Sequence, residues 1–511
     1  MKHKVYGTLL MCTLLPSWLS AQERPNIVYI MADDLGYGDL SCYGAKLIST
    51  PNIDKLAEQG RSFTDAHSVS AVSTPSRYGF LTGTYPFRYN DGEGYWGPLS
   101  HRHPILIEKG QETIASMLKS SGYATACIGK WHLGFQEELT DWNKPLTPGP
   151  VDVGFDYYFG VPFVSSAPPY FYVENDRVWG WDAKDPITFD GKPVAKTIKF
   201  PEKSNNRYSG GKKAHSLYNE EETAGLFVKK SIDWIKEHKR SPFFLLLTTT
   251  HIHHPFTPGE KFKGSSKCGP YGDYVQEFDW MVGEIMKTLE DEGLADNTLF
   301  VVTSDNGAML NVTGQKTYAA GHRMNGELFG FKFDAWEGGH RIPFIVRWPG
   351  KVEANTSSDQ LISNIDMFAT FASVVGHELK DDEALDSYNV IDAFWGDPTS
   401  DIRDYLFIAP HKPSHLALRA GDWMYIPGQG GGGWERKNGH TAGGIQGTSL
   451  TKDYNSDIYE GKLVNGAPDV QLFNLNKDKY EKINMAERNP EKLLEMQSLY
   501  NEKKILPRTR K

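Results

Sequence analysis

The sequence has few cysteines and no excess of basic residues. Four of its 511 residues are cysteine, and Cys12 lies in the apolar N-terminal segment described below. Cys42, Cys127 and Cys268 remain, an odd number that allows at most one disulfide, so the chain is not a disulfide scaffold. The net charge of −9, from 55 basic and 64 acidic residues, argues against a nucleic-acid-binding protein, which usually carries a basic excess.

Long apolar runs are also absent after the N-terminal segment. Basic Lys2 and Lys4 precede an apolar run at residues 5–15, and small residues at 19–21 follow it. This order is typical of an export signal, residues 1–21, cleaved after Ala21. We therefore expect a periplasmic or secreted protein. No later run reaches the roughly 18 apolar residues that a membrane-spanning helix needs, so we predict no membrane span.

Helical patterns alternate with short apolar runs over most of the chain. We predict strands at 26–31, 123–128, 243–248, 298–303 and 344–346, and helices at 50–60, 111–120, 220–238 and 274–292. This alternation predicts an α/β fold: a large, mostly parallel sheet sandwiched by helices, over residues 22–394.

The C-terminal part of the chain has a different pattern. Its strand candidates are short, at 405–409, 416–419, 423–426 and 471–475, and a helix at 489–504 closes the chain. We expect residues 395–511 to form a smaller C-terminal α+β domain that carries an antiparallel sheet.

A predicted helix begins with a potential nucleophile, Ser73. Pro75 suits the first turn of a helix, and Gly83 suits its left-handed end. The free N–H groups of the first turn attract an anion such as phosphate or sulfate. Arg77 adds a fixed positive charge, so the segment predicts an anion site beside a hydroxyl group.

Oxygen-bearing side chains follow two of the predicted strands. Asp33 and Asp34 come after the first strand, and Asp305 and Asn306 come after the strand at 298–303. Ligands of open α/β sheets bind at the carboxyl ends of the strands. Four hard oxygen ligands gathered there suit Ca²⁺ or Mg²⁺. Asn306 before a glycine would, taken alone, indicate only a turn.

Histidines and a lysine follow two other strands. Lys130 and His132 stand two residues apart, so in an extended segment both side chains point the same way. The lysine could bind an anion while the histidine acts as a base. His251, His253 and His254 share one loop, and imidazoles also bind Zn²⁺. The nearby carboxylates and the lack of a thiolate pattern favour a metal bound by oxygen.

Five ordered blocks of the sequence resemble the type I sulfatases of the alkaline-phosphatase-like superfamily. They are Ala-Asp-Asp-Leu-Gly at 32–36, Ser-x-Pro-Ser-Arg at 73–77, Gly-Lys-Trp-His-Leu-Gly at 129–134, Ser-Asp-Asn-Gly at 304–307 and Glu-Gly-Gly-x-Arg-x-Pro at 337–343. The resemblance covers nearly the whole mature chain. It implies a hydrolase of sulfate monoesters.

The resemblance also implies a modified nucleophile and a metal. Ser73 would be converted to formylglycine by a radical-type sulfatase-maturing enzyme before export. One hydroxyl of the hydrated aldehyde would attack sulfur, and the other would let sulfate leave by elimination. The implied cofactor is Ca²⁺, with Mg²⁺ as the alternative, and the implied ligands are Asp33, Asp34, Ser73, Asp305 and Asn306.

The remaining catalytic residues are assigned by the same resemblance. Arg77 would stabilise the hydrated aldehyde, and Lys130 would bind sulfate. His132 would take the proton during elimination. His253 would protonate the leaving oxygen, and Lys332 would support both sulfate and that oxygen.

The implied substrate is a sulfated saccharide, and the chain resembles exo-acting sulfatases for 6-sulfated galactose or N-acetylgalactosamine. Aromatic residues in the stretch 136–213 either stack on sugar rings or form a local core; they are Tyr157, Tyr158, Phe171, Tyr172, Trp179 and Trp181. Two other functions stay open. One is a phosphoester or phosphonate hydrolase of the same superfamily, and the other is an inactive glycan-binding protein, which would lack the ligands or Arg77.

Overall fold

The computed structural model describes residues 24–188, 210–434 and 443–510. The predicted export signal, residues 1–21, lies outside the described residues. Within the described ranges, no helix has both the length and the apolar composition that a membrane crossing requires. Cys42, Cys127 and Cys268 are free thiols.

The secondary structure of these ranges follows the alternation expected from the sequence. The strands are β1 (Asn26–Ala32), β2 (Arg61–Phe63), β3 (Ala66–His67), β4 (Ala124–Gly129), β5 (Tyr157–Gly160), β6 (Val173–Glu174), β7 (Arg177–Val178), β8 (Phe243–Thr248), β9 (Thr298–Ser304), β10 (Phe344–Arg347), β11 (Thr356–Ser358), β12 (Ile362–Ser363), β13 (Tyr405–Ile408), β14 (Ala417–Ala420), β15 (Trp423–Ile426), β16 (Ile458–Tyr459), β17 (Lys462–Leu463) and β18 (Gln471–Asn474). The α-helices are α1 (Pro51–Glu58), α2 (Ser73–Thr82), α3 (Tyr89–Gly92), α4 (Ile114–Ser120), α5 (Lys212–Ser216), α6 (Thr223–His238), α7 (Pro270–Asp291), α8 (Val312–Ala319), α9 (Glu337–His340), α10 (Met367–Val375), α11 (Ile391–Trp395), α12 (Gly444–Thr451) and α13 (Pro490–Lys504).

One large sheet forms the centre of the molecule. Its strands lie in the order β11-β2-β10-β9-β1-β8-β4-β5-β6-β7. Strands β9, β1, β8, β4 and β5 run parallel, whereas β10 runs antiparallel to β9. Every residue of β1 is buried, as expected for a parallel sheet that is covered on both faces. The predicted α/β architecture is confirmed.

A second, smaller sheet lies in the C-terminal part of the chain. Strands β13, β14, β15 and β18 pair antiparallel in that order, which confirms the predicted antiparallel sheet. Helix α13 packs beside β14 and β15. The division of the chain at residue 395 stays a prediction.

The local sequence explains why helices α4 and α7 begin at other residues than predicted. Helix α4 begins three residues late because Thr113 caps it. The Thr113 side chain accepts from the Ser116 backbone N–H at 3.1 Å, and the Ser116 hydroxyl accepts from the Thr113 backbone N–H. Helix α7 begins early, at Pro270, since proline suits the first turn and Gly269 precedes it with φ 78°.

The aromatic residues of the stretch 136–213 could either stack on sugars or form a local core. Tyr158, Phe171 and Tyr172 are buried, so for these three residues the local core is the alternative that holds. Trp179 and Trp181 are partly buried against the same core. The reason is topological: β5, β6 and β7 extend the large sheet, and a covered sheet face must be filled with apolar side chains.

A buried arginine links the large sheet region to the smaller sheet. Arg403 donates to Asp366, to the carbonyl of Asp386 at 2.7 Å and to the carbonyl of Tyr405 at 3.0 Å. We expect Arg403→Met to lower the free energy of unfolding by about 3–5 kcal/mol, because it leaves the Asp366 carboxylate buried without its partner. Urea denaturation followed by tryptophan fluorescence measures this. Equal stability of Arg403→Met and of the exposed-site control Arg240→Met would contradict the expectation.

Candidate active site

The predicted site residues come together where the carboxyl ends of the parallel strands meet. Helix α2 places its N-terminus at this edge of the sheet. The other side chains follow β1, β4, β8 and β9 or precede α9. They are Asp33, Asp34, Ser73, Arg77, Lys130, His132, His253, Asp305, Asn306 and Lys332, and all ten are buried.

Ser73 occupies the centre of this group. Its hydroxyl oxygen lies 3.2 Å from Asp33 Oδ1, 3.1 Å from Asn306 Oδ1 and 3.3 Å from Lys332 Nζ. All ten residues of α2 are buried, and Gly83 ends the helix with φ 63°. A hydroxyl group at a helix N-terminus, between oxygen acceptors and an ammonium group, is well placed to meet an anion.

Three carboxylates form a cluster beside Ser73. One oxygen each of Asp33, Asp34 and Asp305 lies within 4.8 Å of the others. Asn306 donates its amide N–H to Asp34 Oδ1 at 2.8 Å, which turns its amide oxygen toward Ser73. Among the described residues, Asp34 Oδ2 is buried without a hydrogen-bond partner. Burying such an oxygen is costly unless a cation compensates it, and this hard oxygen set fits a divalent cation such as Ca²⁺ or Mg²⁺.

Two lysines contact these carboxylates. Lys130 Nζ lies 2.8 Å from Asp33 Oδ2, and Lys332 Nζ lies 2.5 Å from Asp34 Oδ1. Burial lowers the pKa of Lys130 to about 8, although Asp33 opposes this change. Burial also acts on Lys332, but Asp34 and then Asp33 outweigh it and raise the pKa of that lysine. Lys332 is therefore held as a cation next to Ser73.

Arg77 completes the charge balance of the pocket. It donates to Asp305 Oδ2 from Nε at 3.0 Å and from Nη2 at 2.8 Å, and to the Lys130 carbonyl from Nη1 at 3.0 Å. Arg77 and two lysines thus face three aspartates. A divalent cation bound there leaves the pocket with a net positive charge, which attracts an anionic ester.

His132 is a neutral base that has no hydrogen-bond partner among the described residues. Both of its ring nitrogens are buried and make no hydrogen bond within the described part of the chain. Burial, followed by the charges of Lys130 and Arg77, holds its pKa well below the usual value. The segment is not the regular extended strand that the sequence suggested, since Gly129 has φ 121° and His132 has φ 58°. A left-handed residue in a buried site is held there by its surroundings.

His253, one of the three histidines in one loop, lies near Asp34. Its Nε2 is 3.9 Å from Asp34 Oδ2, and its Nδ1 donates to the His254 carbonyl at 2.7 Å. His251 instead contacts Glu277 at 3.0 Å. Burial, followed by Lys332, holds the pKa of His253 well below the usual value. A bound anion would raise that pKa.

The alternative zinc site at this loop is not supported. Over residues 24–188, 210–434 and 443–510, two groups of side chains have the spacing of metal ligands. One is the aspartate cluster beside Ser73, and the other contains His67, Glu337 and His340. The three loop histidines form no such group.

An aromatic cluster next to Lys332 was missed by the sequence analysis. Phe333 packs against His411 and Trp434, whose rings stack at 5.1 Å. Phe333 also packs with Val72, the residue before Ser73. Contacts between residues that are far apart in the chain leave no periodic signal, so no local pattern predicts them.

Comparison with known proteins agrees with this geometry. The family model for sulfatases matches residues 25–377. The N-acetylgalactosamine-6-O-sulfatase of Bacteroides thetaiotaomicron is 38% identical over 506 residues, which cover 93% of this chain and 92% of that protein. The human N-acetylgalactosamine-6-sulfatase is 31% identical over 73% of this chain and 66% of its own length.

Solved structures show the same relationship. One solved structure comes from work on the metabolism of multiple glycosaminoglycans by Bacteroides thetaiotaomicron. It has a TM-score of 0.83 and 36% identity, and the match covers 95% of this chain and 100% of that chain. The phosphonate monoester hydrolase of Agrobacterium radiobacter has 18% identity and a TM-score of 0.54, and the match covers 93% of this chain and 96% of that chain. At this identity the two proteins share the fold alone. With its family match and its complete set of motif residues, the chain belongs to the sulfatase family and is a sulfuric ester hydrolase.

Proposed function

We propose that the chain hydrolyses sulfate monoesters on carbohydrates, with Ser73 as the nucleophile after its conversion to formylglycine. The observation that carries this proposal is the position of the Ser73 hydroxyl. It lies between Asp33, Asn306 and Lys332, at 3.1 to 3.3 Å from each, at the buried start of α2. No other described hydroxyl group shares these contacts.

The surroundings of Ser73 favour a modified nucleophile over a free serine. A serine hydroxyl needs a neighbouring general base to become a good nucleophile. The groups in contact with Ser73 are a carboxylate, an amide oxygen and an ammonium group, and no imidazole is among the described contacts. Formylglycine would supply a hydrated aldehyde as the nucleophile. Since Ser73 is buried in the folded chain, a radical-type maturing enzyme would act on it before folding and export.

The metal in this proposal is Ca²⁺, with Mg²⁺ as the alternative. Asp33, Asp34, Asp305 and Asn306 would hold it, together with residue 73. Such a cation supplies Lewis-acid polarisation of an oxygen ligand. The unpartnered Asp34 oxygen and the oxygen-only donor set support the assignment.

The chain's own cations and one histidine would handle the sulfate group. Lys130 would bind a sulfate oxygen, and Arg77 would hold the carboxylates of Asp305 and Asp33 in place and stabilise the hydrated nucleophile. His132, which is neutral and has no partner within the described residues, would accept a proton when sulfate is eliminated. Groups preorganised around developing charge are each worth roughly 10²–10³ in rate.

His253 and Lys332 would act on the leaving oxygen. Charge develops on this oxygen as the S–O bond breaks, so a nearby ammonium group stabilises the transition state more than the ground state. His253 would donate a proton from Nε2, once the bound anion has raised its pKa. Such acid catalysis contributes typically about 10²–10⁴ in rate.

The proposed substrate is a saccharide sulfated at the 6-position of N-acetylgalactosamine or galactose, cleaved at a chain end. The names of two relatives, the N-acetylgalactosamine-6-O-sulfatase of Bacteroides thetaiotaomicron and the human N-acetylgalactosamine-6-sulfatase, support a 6-sulfated N-acetylgalactosamine. His411 and Trp434 are partly exposed and pack on the buried Phe333 next to Lys332, so these two rings offer a surface for a sugar ring. The N-terminal sequence supports a periplasmic or secreted location, where extracellular glycans are met.

A matched panel of substrates tests this function. It contains N-acetylgalactosamine 6-sulfate, galactose 6-sulfate, N-acetylgalactosamine 4-sulfate and N-acetylgalactosamine 6-phosphate. We expect kcat/KM for the preferred 6-sulfate to exceed that for the 4-sulfate and the 6-phosphate by at least about 10²-fold, the discrimination expected from a site built around one charged group. Ion chromatography measures the released sulfate or phosphate. Preference for the phosphate would support the phosphoester hydrolase instead, and turnover of none of the three saccharide sulfates would refute the saccharide assignment.

A further inference from the structure

A second buried cluster of histidines and carboxylates lies away from the side chains around Ser73. His67 ends β3, and Glu337 and His340 stand at the two ends of α9. All three side chains are inaccessible to solvent. One ring nitrogen of each histidine and one carboxylate oxygen of Glu337 lie within 4.8 Å of one another.

The hydrogen bonds that the two histidines make through Nε2 leave no hydrogen atom between their Nδ1 atoms. His67 Nε2 lies 2.8 Å from Asp65 Oδ1, and His340 Nε2 lies 3.1 Å from the Ala335 carbonyl. Both neighbours are acceptors, so both Nε2 atoms carry a hydrogen. A neutral imidazole has a single N–H, so the two Nδ1 atoms face each other with lone pairs, at 2.9 Å. A cation, either a proton or a metal ion, must therefore lie between them.

Glu337 distinguishes a metal ion from a proton. Its Oε1 is buried and has no hydrogen-bond partner in the described part of the chain, while its Oε2 accepts from Arg341. A proton shared by His67 and His340 would leave Oε1 unsatisfied, which is costly for a buried carboxylate. A metal ion would satisfy both nitrogens and this oxygen together.

The surrounding charges leave room for an added cation. Arg341 contacts Asp65 at 2.7 Å as well as Glu337, and Arg419 contacts Asp65 at 3.2 Å. A third carboxyl group, Glu481, accepts from the Glu337 backbone N–H at 2.8 Å. Its other oxygen is buried and has no partner among the described residues. Asp65 and Glu337 thus balance two guanidinium groups, and Glu481, whose pKa burial raises well above its usual value, is a third carboxyl group that can lose its proton to offset a bound cation.

We propose that His67 Nδ1, His340 Nδ1 and Glu337 Oε1 bind a divalent transition metal, for which zinc is the best match. Imidazole and carboxylate ligands suit Zn²⁺, and the contact of His67 with Asp65 orients a ligand histidine as carboxylates do around bound zinc. Tetrahedral bonds of about 2.0–2.1 Å place two nitrogens roughly 3.3 Å apart. The rings need to separate by only a few tenths of an ångström to reach this spacing.

The metal would tie the large sheet region to the smaller sheet. Asp65, which supports His67, contacts Arg419 on β14, and the Glu337 backbone contacts Glu481 beyond β18. Because structural zinc contributes directly to folding free energy, we infer that it stabilises this junction. Its role is separate from the proposed chemistry at Ser73.

The test measures metal content, with Ca²⁺ in excess to saturate the aspartate cluster. Full-length protein purified without chelators is dialysed against Zn²⁺ and then against zinc-free buffer that contains Ca²⁺. Elemental analysis should find about one zinc per chain, and Co²⁺ should replace it with a visible ligand-field absorption band. His340→Gln should reduce zinc to less than about a tenth of an equivalent, whereas the control His377→Gln, which alters a histidine paired with Glu383, should keep it.

Two outcomes would overturn the metal site. Wild-type protein that retains neither zinc nor cobalt assigns a shared proton to His67 and His340. Zinc that persists in His340→Gln places the metal elsewhere. The wild-type measurement decides the first question even when the variant does not fold.

Discussion

Ser73→Ala is expected to abolish sulfate release and to leave the folded structure intact. The variant lacks the only side-chain oxygen that lies between Asp33, Asn306 and Lys332 among the described contacts. Loss of a nucleophile costs hydrolases roughly 10⁴-fold or more in kcat. Alanine is a strong helix former and fits the space of serine, so α2 should keep its conformation. Steady-state kinetics on the preferred saccharide sulfate and the thermal unfolding midpoint measure the two effects.

The same substitution at another buried serine provides the control. Ser231 lies on α6, and its hydroxyl is buried without a hydrogen-bond partner in the described ranges. Ser231→Ala should therefore keep both activity and stability, since no hydrogen bond is lost. Turnover by Ser73→Ala at more than a few per cent of the wild-type rate would disprove the role of Ser73.

Removing the divalent cation from the aspartate cluster is expected to have the second-largest effect. Without the cation, three buried carboxylates and three cationic side chains hold the pocket near neutrality, and the attraction for an anionic ester is lost. We expect chelation to lower the rate of sulfate release by roughly 10³-fold or more, because the site loses both a preorganised positive charge and the metal that activates the nucleophile. The folded state should also lose stability, by about 4 kcal/mol if the ion was present at a thousand times its Kd.

Adding ions back singly shows which one belongs to the site. Ca²⁺ alone should restore activity and the share of the unfolding midpoint that the aspartate cluster contributes, and Mg²⁺ serves as the comparison. Zinc is left out, so that the cluster of His67, His340 and Glu337 does not contribute to recovery. In Asp34→Asn, which weakens the ligand set, the unfolding midpoint should no longer respond to Ca²⁺. Full activity in protein shown by elemental analysis to be free of metal would contradict the prediction.

Much of the fold follows from local patterns in the sequence. The apolar runs that form β1, β8 and β9 are short, continuous and bounded by polar residues, which is typical of strands buried on both faces. Parallel strands end at one edge of the sheet, so Asp33 and Asp305 meet although 272 positions separate Asp33 from Asp305 in the chain. This is why side chains predicted from separate parts of the sequence lie together beside Ser73.

Burial and long-range contacts are the features that local patterns do not predict. The aromatic residues in and next to β5 and β6 look the same in the sequence whether they contact a sugar or a core, and Tyr158 and Tyr172 belong to the core. The pairing of His67 with His340 depends on the bridge between β3 and the residue after α9. Glu337 stands three residues before His340, but His67 lies 270 positions before Glu337, so no local pattern marks the three residues as one group.

The state of residue 73 in active protein is the most direct test of the proposed chemistry. Mass spectrometry of the peptide that contains Ser73, from protein matured in an anaerobic host, should find it lighter by two hydrogen atoms than the serine peptide. The activity of different preparations should rise in proportion to the converted fraction. Fully active protein whose Ser73 is unmodified would contradict the central claim.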